Sequence, residues 1–173
     1  MGYDSAVAQA IAHSVDVGAR VLSCSLGGSQ DSLVLHDAIK YAYDHGDLVF
    51  AAAGNSATST KCYPAAYDEV VAVTATNSSD SPAYFTNFGD WVEVAALGVG
   101  VYSTMPTYHV TMNDMGFPMN YASCSGTSMA CPHAAGLAAL TWSRFPNASR
   151  DWIRAQLRAT ADDLGEEGFD KYY

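Results

Sequence analysis

Residues 123–140 read SCSGTSMACPHAAGLAAL, and this stretch places a serine at the start of a long apolar run. From Thr127 onward, apolar residues cover almost every side of a helix, and a helix that is apolar all round is normally buried. Pro132 is compatible with this helix if it lies in the first turn, where its missing N–H costs nothing. The stretch therefore predicts a buried helix that carries Ser128 at its N-terminus.

The first 55 residues alternate between helix and strand signals. Apolar positions at helical spacing run through residues 4–17, and a strand follows in RVLSCSLGG. Asp31 and Ser32 are candidate caps of a second helix, over residues 32–45. The run DLVFAAAGN is almost wholly apolar, as is typical of strands buried on both faces of a parallel sheet. This order predicts an α/β fold with a mainly parallel sheet.

The rest of the chain is rich in turn signals. Four short runs, EVVAVTAT, AYFTNFG, WVEVAALG and VGVYST, have the composition of strands. Residues 105–120 show little periodicity and are expected to form a loop. Ser149 is the predicted cap of a final, amphipathic helix that ends near residue 159.

The composition indicates one globular domain and argues against two classes of partner. The 173 residues are 49% hydrophobic, with 8 Lys+Arg against 18 Asp+Glu and a net charge of −10. Phosphate binding needs clustered basic residues, and a membrane helix needs a longer apolar run than any found here. We therefore expect neither nucleic acid nor a membrane as a partner. The first residues lack the basic and apolar regions of a signal peptide.

Three segments have residues suited to acyl transfer. The N–H groups of a first helical turn lack internal partners, so the N–H of Ser128 can donate to an oxyanion formed when its own Oγ attacks. Asn55 follows an apolar strand, and its side-chain amide is a candidate second donor. SLGG, with little side-chain bulk, can pair with an extended peptide. Taken alone, SLGG is also typical of an ordinary strand end and Asn55 of a turn.

Together and in this order, the segments resemble the subtilisin-like serine proteases, or subtilases. GTSMACPHAAG is similar to the catalytic-serine motif GTSMAxPHVAG, with Ala134 in place of Val. AAAGNS is similar to the oxyanion-asparagine segment and SLGG to the segment that binds the substrate backbone. YPAAYDEVVAVTAT, FTNFGDWVEVAALG and TADDLGEEGFDKYY resemble further stretches of the family, which usually has Pro where this chain has Leu97. The resemblance implies a subtilisin-like three-layer fold and a serine endopeptidase.

The resemblance also implies roles for particular residues. Ser128 is the implied acyl-forming nucleophile, and Asn55 the residue that holds the oxyanion. The residues implied to line the P1 pocket and pair with substrate backbone are Ser25, Leu26, Gly27, Ala53 and Gly54. The resemblance implies an extracellular enzyme whose substrate is a polypeptide. It also implies that the chemistry requires no cofactor. A structural calcium ion is compatible with the family, but backbone ligands leave no signature in a sequence.

The base and carboxylate that would activate Ser128 are not found in the expected place. Subtilisins carry them in the order Asp, His, Ser, yet the residues before SLGG contain neither an Asp-Thr/Ser-Gly nor a His-Gly-Thr-His segment. His133 lies roughly 140° round the helix from Ser128, at about 100° per residue, and cannot easily reach its Oγ. We therefore expect residues 1–173 to be a partial catalytic domain that lacks the N-terminal part with the Asp and His and the extreme C-terminus. Such a chain would be inactive by itself.

A non-catalytic alternative remains open. The chain can instead be a degenerate subtilase that keeps the groove as a peptide-binding module. The presence of both Ser128 and Asn55 argues against this alternative, because a pure binder has no use for the nucleophile. An α/β-hydrolase esterase is disfavoured because the G-x-S-x-G motif is absent.

Overall fold

A computed structural model describes residues 4–168 and 170–173. The helices are α1 (Asp4–Asp16), α2 (Leu33–Asp44), α3 (Thr111–Asp114), α4 (Thr127–Arg144) and α5 (Arg150–Thr160). The strands are β1 (Val21–Cys24), β2 (Leu48–Ala52), β3 (Val70–Thr76), β4 (Val94–Leu97), β5 (Val101–Thr104) and β6 (Tyr121–Cys124).

The main sheet lies between two layers of helices. Its strands are all parallel, in the order β1-β2-β3-β4. Helices α1 and α2 pack on one face, while α4 and α5 pack on the other. Strands β2 and β3 are buried along their whole length because both of their faces are covered. The predicted α/β, three-layer fold with a mainly parallel sheet is therefore confirmed.

Parallel pairing brings two of the predicted site segments to one edge of the sheet. Cys24 at the end of β1 is paired with Ala51 near the end of β2. The segments that follow, SLGG and GNS, therefore leave the sheet side by side.

Most of the predicted elements are present. Ser32 and Ser149 cap α2 and α5 through their side chains, as their positions predicted. The run AYFTNFG, however, forms turns and not a strand, because the side chains of Thr86 and Asn87 bond backbone groups themselves. The predicted loop over residues 105–120 contains the single turn of α3, and β6 pairs antiparallel with β5 just after it.

Helix α4 is buried on one side only, which corrects the expectation that it is buried all round. Its packed face contacts the sheet, whereas Leu137 and Leu140 are 54% and 70% exposed. The expectation for Pro132 was also wrong, since this residue lies in the second turn of α4. Its missing N–H therefore leaves the carbonyl four residues earlier, that of Ser128, without its helical partner. No helix in the described ranges has both the length and the apolar character needed to cross a bilayer.

Candidate active site

Ser128 is the second residue of α4, and the start of this helix faces the ends of β1 and β2. Its Oγ donates to the carbonyl of Ser25 at 3.4 Å. Its N–H lies in the first helical turn and has no acceptor in the described part of the chain. An unpaired N–H and the positive end of the helix dipole thus stand beside the hydroxyl.

The side chain of Asn55 has a defined orientation. Its Oδ1 accepts from the backbone N of Thr127 at 2.8 Å and from the Oγ1 of Thr127 at 2.9 Å. A backbone N–H can only donate, so the atom that faces it must be the amide oxygen. The Nδ2 group is therefore the free end of the amide, and it meets no protein acceptor among the described residues. Two unpaired donors, Nδ2 of Asn55 and N–H of Ser128, flank the start of α4.

Ser25 replaces the helical bond that Pro132 cannot make. The Oγ of Ser25 donates to the carbonyl of Ser128 at 2.7 Å. This is the carbonyl left without a partner by the proline. The end of β1 and the start of α4 are thus joined by a pair of bonds between Ser25 and Ser128, one in each direction.

A cleft of about 520 Å³ lies in front of these groups. Six of the predicted site residues line it: Ser25, Leu26, Gly27, Gly54, Asn55 and Ser128. Ala53 is not on the wall, because its side chain is fully buried. Ala52 lines the cleft in its place, since neighbouring residues of an extended chain point to opposite sides.

The cleft also contains a thiol, from Cys62, but this group is not a competing nucleophile. Burial raises the pKa of Cys62, and the thiolate is the reactive form of cysteine. Burial also raises the pKa of Cys24 to about 11, with a smaller contribution from nearby Cys131. All four cysteines are free. The raised pKa keeps the thiol of Cys62 protonated at neutral pH, and the hydroxyl of Ser128 is the candidate nucleophile.

A model of the subtilase family matches residues 1–173. The chain belongs to the subtilase family. It is 42% identical to thermitase of Thermoactinomyces vulgaris over 164 residues, which cover 95% of this chain and 54% of thermitase. It is 42% identical to subtilisin DY of Bacillus licheniformis over 169 residues, which cover 95% of this chain and 58% of that protein. The crystal structure of a cold adapted subtilisin-like serine proteinase matches with a TM-score of 0.82 at 30% identity, covering 95% of this chain and 57% of that one. The subtilase chain thus spans about half the length of these relatives.

No histidine of this subtilase lines the cleft in the described ranges. His133 is nearest to Ser128 in sequence, and its Nδ1 donates to the carbonyl of Leu97 at 2.9 Å. That bond fixes the ring between α4 and the end of β4, as expected of a structural residue. The remaining histidines, all outside the cleft lining, are His13, His36, His45 and His109.

Two residues of the site were missed by the sequence analysis. Thr127 fixes the amide of Asn55, and its Oγ1 also accepts from the N–H of Gly54 at 3.1 Å. Asn87 lines the cleft and bonds the loop that carries Asn55. The position of Thr127 beside the serine in GTS was an available signal, whereas Asn87 lies in AYFTNFG, a run whose composition predicted a strand. Among residues 4–168 and 170–173, no three His, Cys, Asp or Glu side chains gather as a metal site would require.

Proposed function

We propose that this chain is the part of a serine endopeptidase domain that carries the nucleophile, the oxyanion hole and one wall of the substrate cleft. The observation that supports this most directly is the placement of two unpaired donors beside one hydroxyl. Those donors are Nδ2 of Asn55 and N–H of Ser128. Preorganised donors that face a developing negative charge are worth most in a site partly shielded from water.

The proposed reaction proceeds through an acyl-enzyme. Oγ of Ser128 attacks the carbonyl carbon of a peptide bond, and its proton passes to a base. The carbonyl oxygen becomes an oxyanion that accepts from the N–H of Ser128 and from Nδ2 of Asn55. The C–N bond then breaks, and the amine leaves with the proton from the base. Water next attacks the ester, releasing the carboxylic acid and restoring the hydroxyl.

The base and its carboxylate are proposed to come from outside these 173 residues. The resemblance assigns them to a histidine and an aspartate of the same catalytic domain, on segments that precede SLGG. Their contribution is large, because a positioned general base typically raises the rate about 10²–10⁴-fold. We therefore propose that the chain alone hydrolyses peptides at a negligible rate. We also propose that the parent protein acts outside the cell on polypeptides.

External imidazole tests this assignment, because it can replace the missing histidine. Residues 1–173 are incubated with a fluorophosphonate, and phosphonylation of Ser128 is followed by mass spectrometry of peptides. Without imidazole we expect almost no labelling, and with imidazole a rate that rises in proportion to its concentration. The variant Asn55→Ala should be labelled more slowly. In subtilisin, which belongs to the same family, removal of the oxyanion asparagine lowers kcat about 100- to 1000-fold, and we expect a decrease of similar size in the labelling rate.

Asn77→Ala is the matched control for Asn55→Ala. The Oδ1 of Asn77, like that of Asn55, accepts two hydrogen bonds, here from the backbone N–H groups of Ser79 and Ser81, but Asn77 does not line the cleft. Fast, stoichiometric labelling of Ser128 without imidazole would mean that another residue of the chain is the base. A folded chain that is never labelled, and that binds peptides equally well after Ser128→Ala and Asn55→Ala, would favour the non-catalytic binding module.

A further inference from the structure

We propose that Asn87 positions the oxyanion hole by fixing the turn that carries Asn55, an inference that rests on the proposed function. Asn87 is 4% exposed, and both ends of its side chain bond this one segment. Its Oδ1 accepts from the N of Ser56 at 2.9 Å and from the N of Thr58 at 3.4 Å. Its Nδ2 donates to the carbonyl of Ala53 at 2.9 Å. These contacts bracket Asn55 on both sides along the chain.

The chemistry of these partners leaves one orientation for the amide of Asn87. The two backbone N–H groups can only donate, and the carbonyl of Ala53 can only accept. The oxygen must therefore face Ser56 and Thr58, and the nitrogen must face Ala53. No water or other side chain is needed to complete this arrangement.

The turn beyond Asn55 holds a strained residue. Ala57 has a φ of +49°, in the left-handed region that residues with a Cβ seldom occupy. Such a conformation is unfavourable and persists only where the surrounding structure enforces it. The two N–H groups that bond Oδ1 of Asn87 belong to the residues immediately before and after Ala57. Asn87 thus fixes the turn on both sides of its strained point.

Backbone hydrogen bonds also join the segment that contains Asn55 to the segment that contains Asn87, and they hold the backbone of Asn87 in place. The N of Asn87 donates to the carbonyl of Gly54 at 2.9 Å, and the N of Ala57 donates to the carbonyl of Phe85 at 2.9 Å. The fit at Gly54 is tight, since a Cβ there would lie 2.4 Å from Nδ2 of Asn87. The backbone at Gly54 therefore approaches the Asn87 amide more closely than any side chain would allow.

Asn55 is held from two directions as a result. Thr127 fixes its side-chain oxygen, and Asn87 fixes the backbone on either side of it. Without Asn87, the turn is free to relax at Ala57, and Nδ2 of Asn55 moves relative to Ser128. A displacement of about 1 Å at such a site can cost about 100-fold in rate. Asn87 does not touch the reacting atoms and acts only through Asn55.

Asn87→Ala tests this role, with Asn113→Ala as the matched control. Asn113 makes the same kind of bridge, accepting from the N of Val110 and donating to the carbonyl of Phe117, in a loop that does not line the cleft. In Asn87→Ala we expect amide hydrogen exchange at Ser56 and Thr58 to accelerate about tenfold or more, because both N–H groups lose their shared acceptor, Oδ1 of Asn87. The imidazole-dependent labelling of Ser128 should fall about tenfold or more, because the oxyanion donor is displaced. In Asn113→Ala, the labelling rate and both amides should stay as in the unsubstituted chain.

Asn87→Asp separates the two halves of the bridge and serves if Asn87→Ala does not fold. A carboxylate keeps the acceptor for Ser56 and Thr58 but loses the donor to Ala53. We expect both amides to stay protected and the labelling rate to fall by less than about tenfold.

The proposal is overturned if the two amides exchange in Asn87→Ala as slowly as in the unsubstituted chain. It is also overturned if the labelling of Ser128 in Asn87→Ala falls no more than in Asn113→Ala. If only Asn87→Asp folds, the proposal is overturned when the amides of Ser56 and Thr58 lose protection while the labelling rate is unchanged. Failure of the proposed function is recognised separately. In that case Ser128 is not labelled in the unsubstituted chain at any imidazole concentration, while the exchange rates still test the turn.

Discussion

At the scale of single residues, the position of Ser128 depends on a hydrogen bond from the hydroxyl of Ser25, which replaces the one that the N–H of a residue other than proline would make at position 132. Pro132 cannot donate to the carbonyl of Ser128, and the Oγ of Ser25 takes that place. Ser128 is thereby bonded to the end of β1 as well as held in its own helix. The same contact gives Ser25 a role in the position of α4 that is independent of any contact with a substrate.

Ser25→Ala should therefore affect both stability and labelling. We expect the free energy of unfolding to fall by about 1 kcal/mol, the usual net value of one hydrogen bond. Imidazole-dependent labelling should also fall, because the first turn of α4 loses its fixed point. Ser143→Ala is the matched control, since the Oγ of Ser143 donates to the carbonyl of Leu140 at the other end of α4. Urea unfolding and labelling rates measure the two effects. Equal labelling in the two variants would contradict this role for Ser25.

At the scale of helices and strands, local patterns predicted most of the architecture. Strand β2 is buried on both faces and therefore reads as a continuous apolar run. Helices α1 and α2 are buried on one face and therefore have apolar residues at helical spacing. Both patterns can be recognised in a sequence. AYFTNFG was misread because its apolar residues resemble a strand, while its polar side chains bond the backbone and hold turns. Strand β6 was not predicted, because its residues YASC show no alternation of apolar and polar side chains.

The predicted parts of the site are those that neighbours in sequence can specify. Ser128 follows from its place at a helix start and Asn55 from its place after a buried strand. Thr127 and Asn87 act on residues 72 and 34 positions away, at Asn55 and Ala53, and such contacts leave no local periodicity. The resemblance implied Ala53 for the cleft wall, but its neighbour Ala52 lines the cleft, because successive residues of an extended chain point to opposite sides.

At the scale of the whole molecule, Arg154 joins α5 to the sheet. Its guanidinium makes a two-pronged contact with the carboxylate of Glu93, and it also donates to the carbonyls of Asp68 and Val70. Both charged side chains are largely buried. The pair therefore connects the last helix with the start of β3 and with the residue before β4.

Arg154→Met should be strongly destabilising, because it leaves the buried carboxylate of Glu93 unpaired. We expect a loss of about 3–5 kcal/mol in the free energy of unfolding, with part of it recovered in Arg154→Met combined with Glu93→Gln. Arg158→Met, at an exposed position of the same helix, is the control and should change stability little. Urea unfolding of the unsubstituted chain, Arg154→Met, Glu93→Gln and the double variant measures the coupling. Additive effects of the two substitutions would show that the pair does not act as a unit.

The central claim is that Ser128 and Asn55 form a nucleophile and its oxyanion hole, and a crystal structure of the phosphonylated chain tests it most directly. In that structure, the phosphoryl oxygen on Ser128 occupies the place of the oxyanion. We predict that it lies about 2.7–3.1 Å from both Nδ2 of Asn55 and the backbone N of Ser128. A phosphoryl oxygen that points to solvent, with Nδ2 of Asn55 bonded elsewhere, would contradict the account.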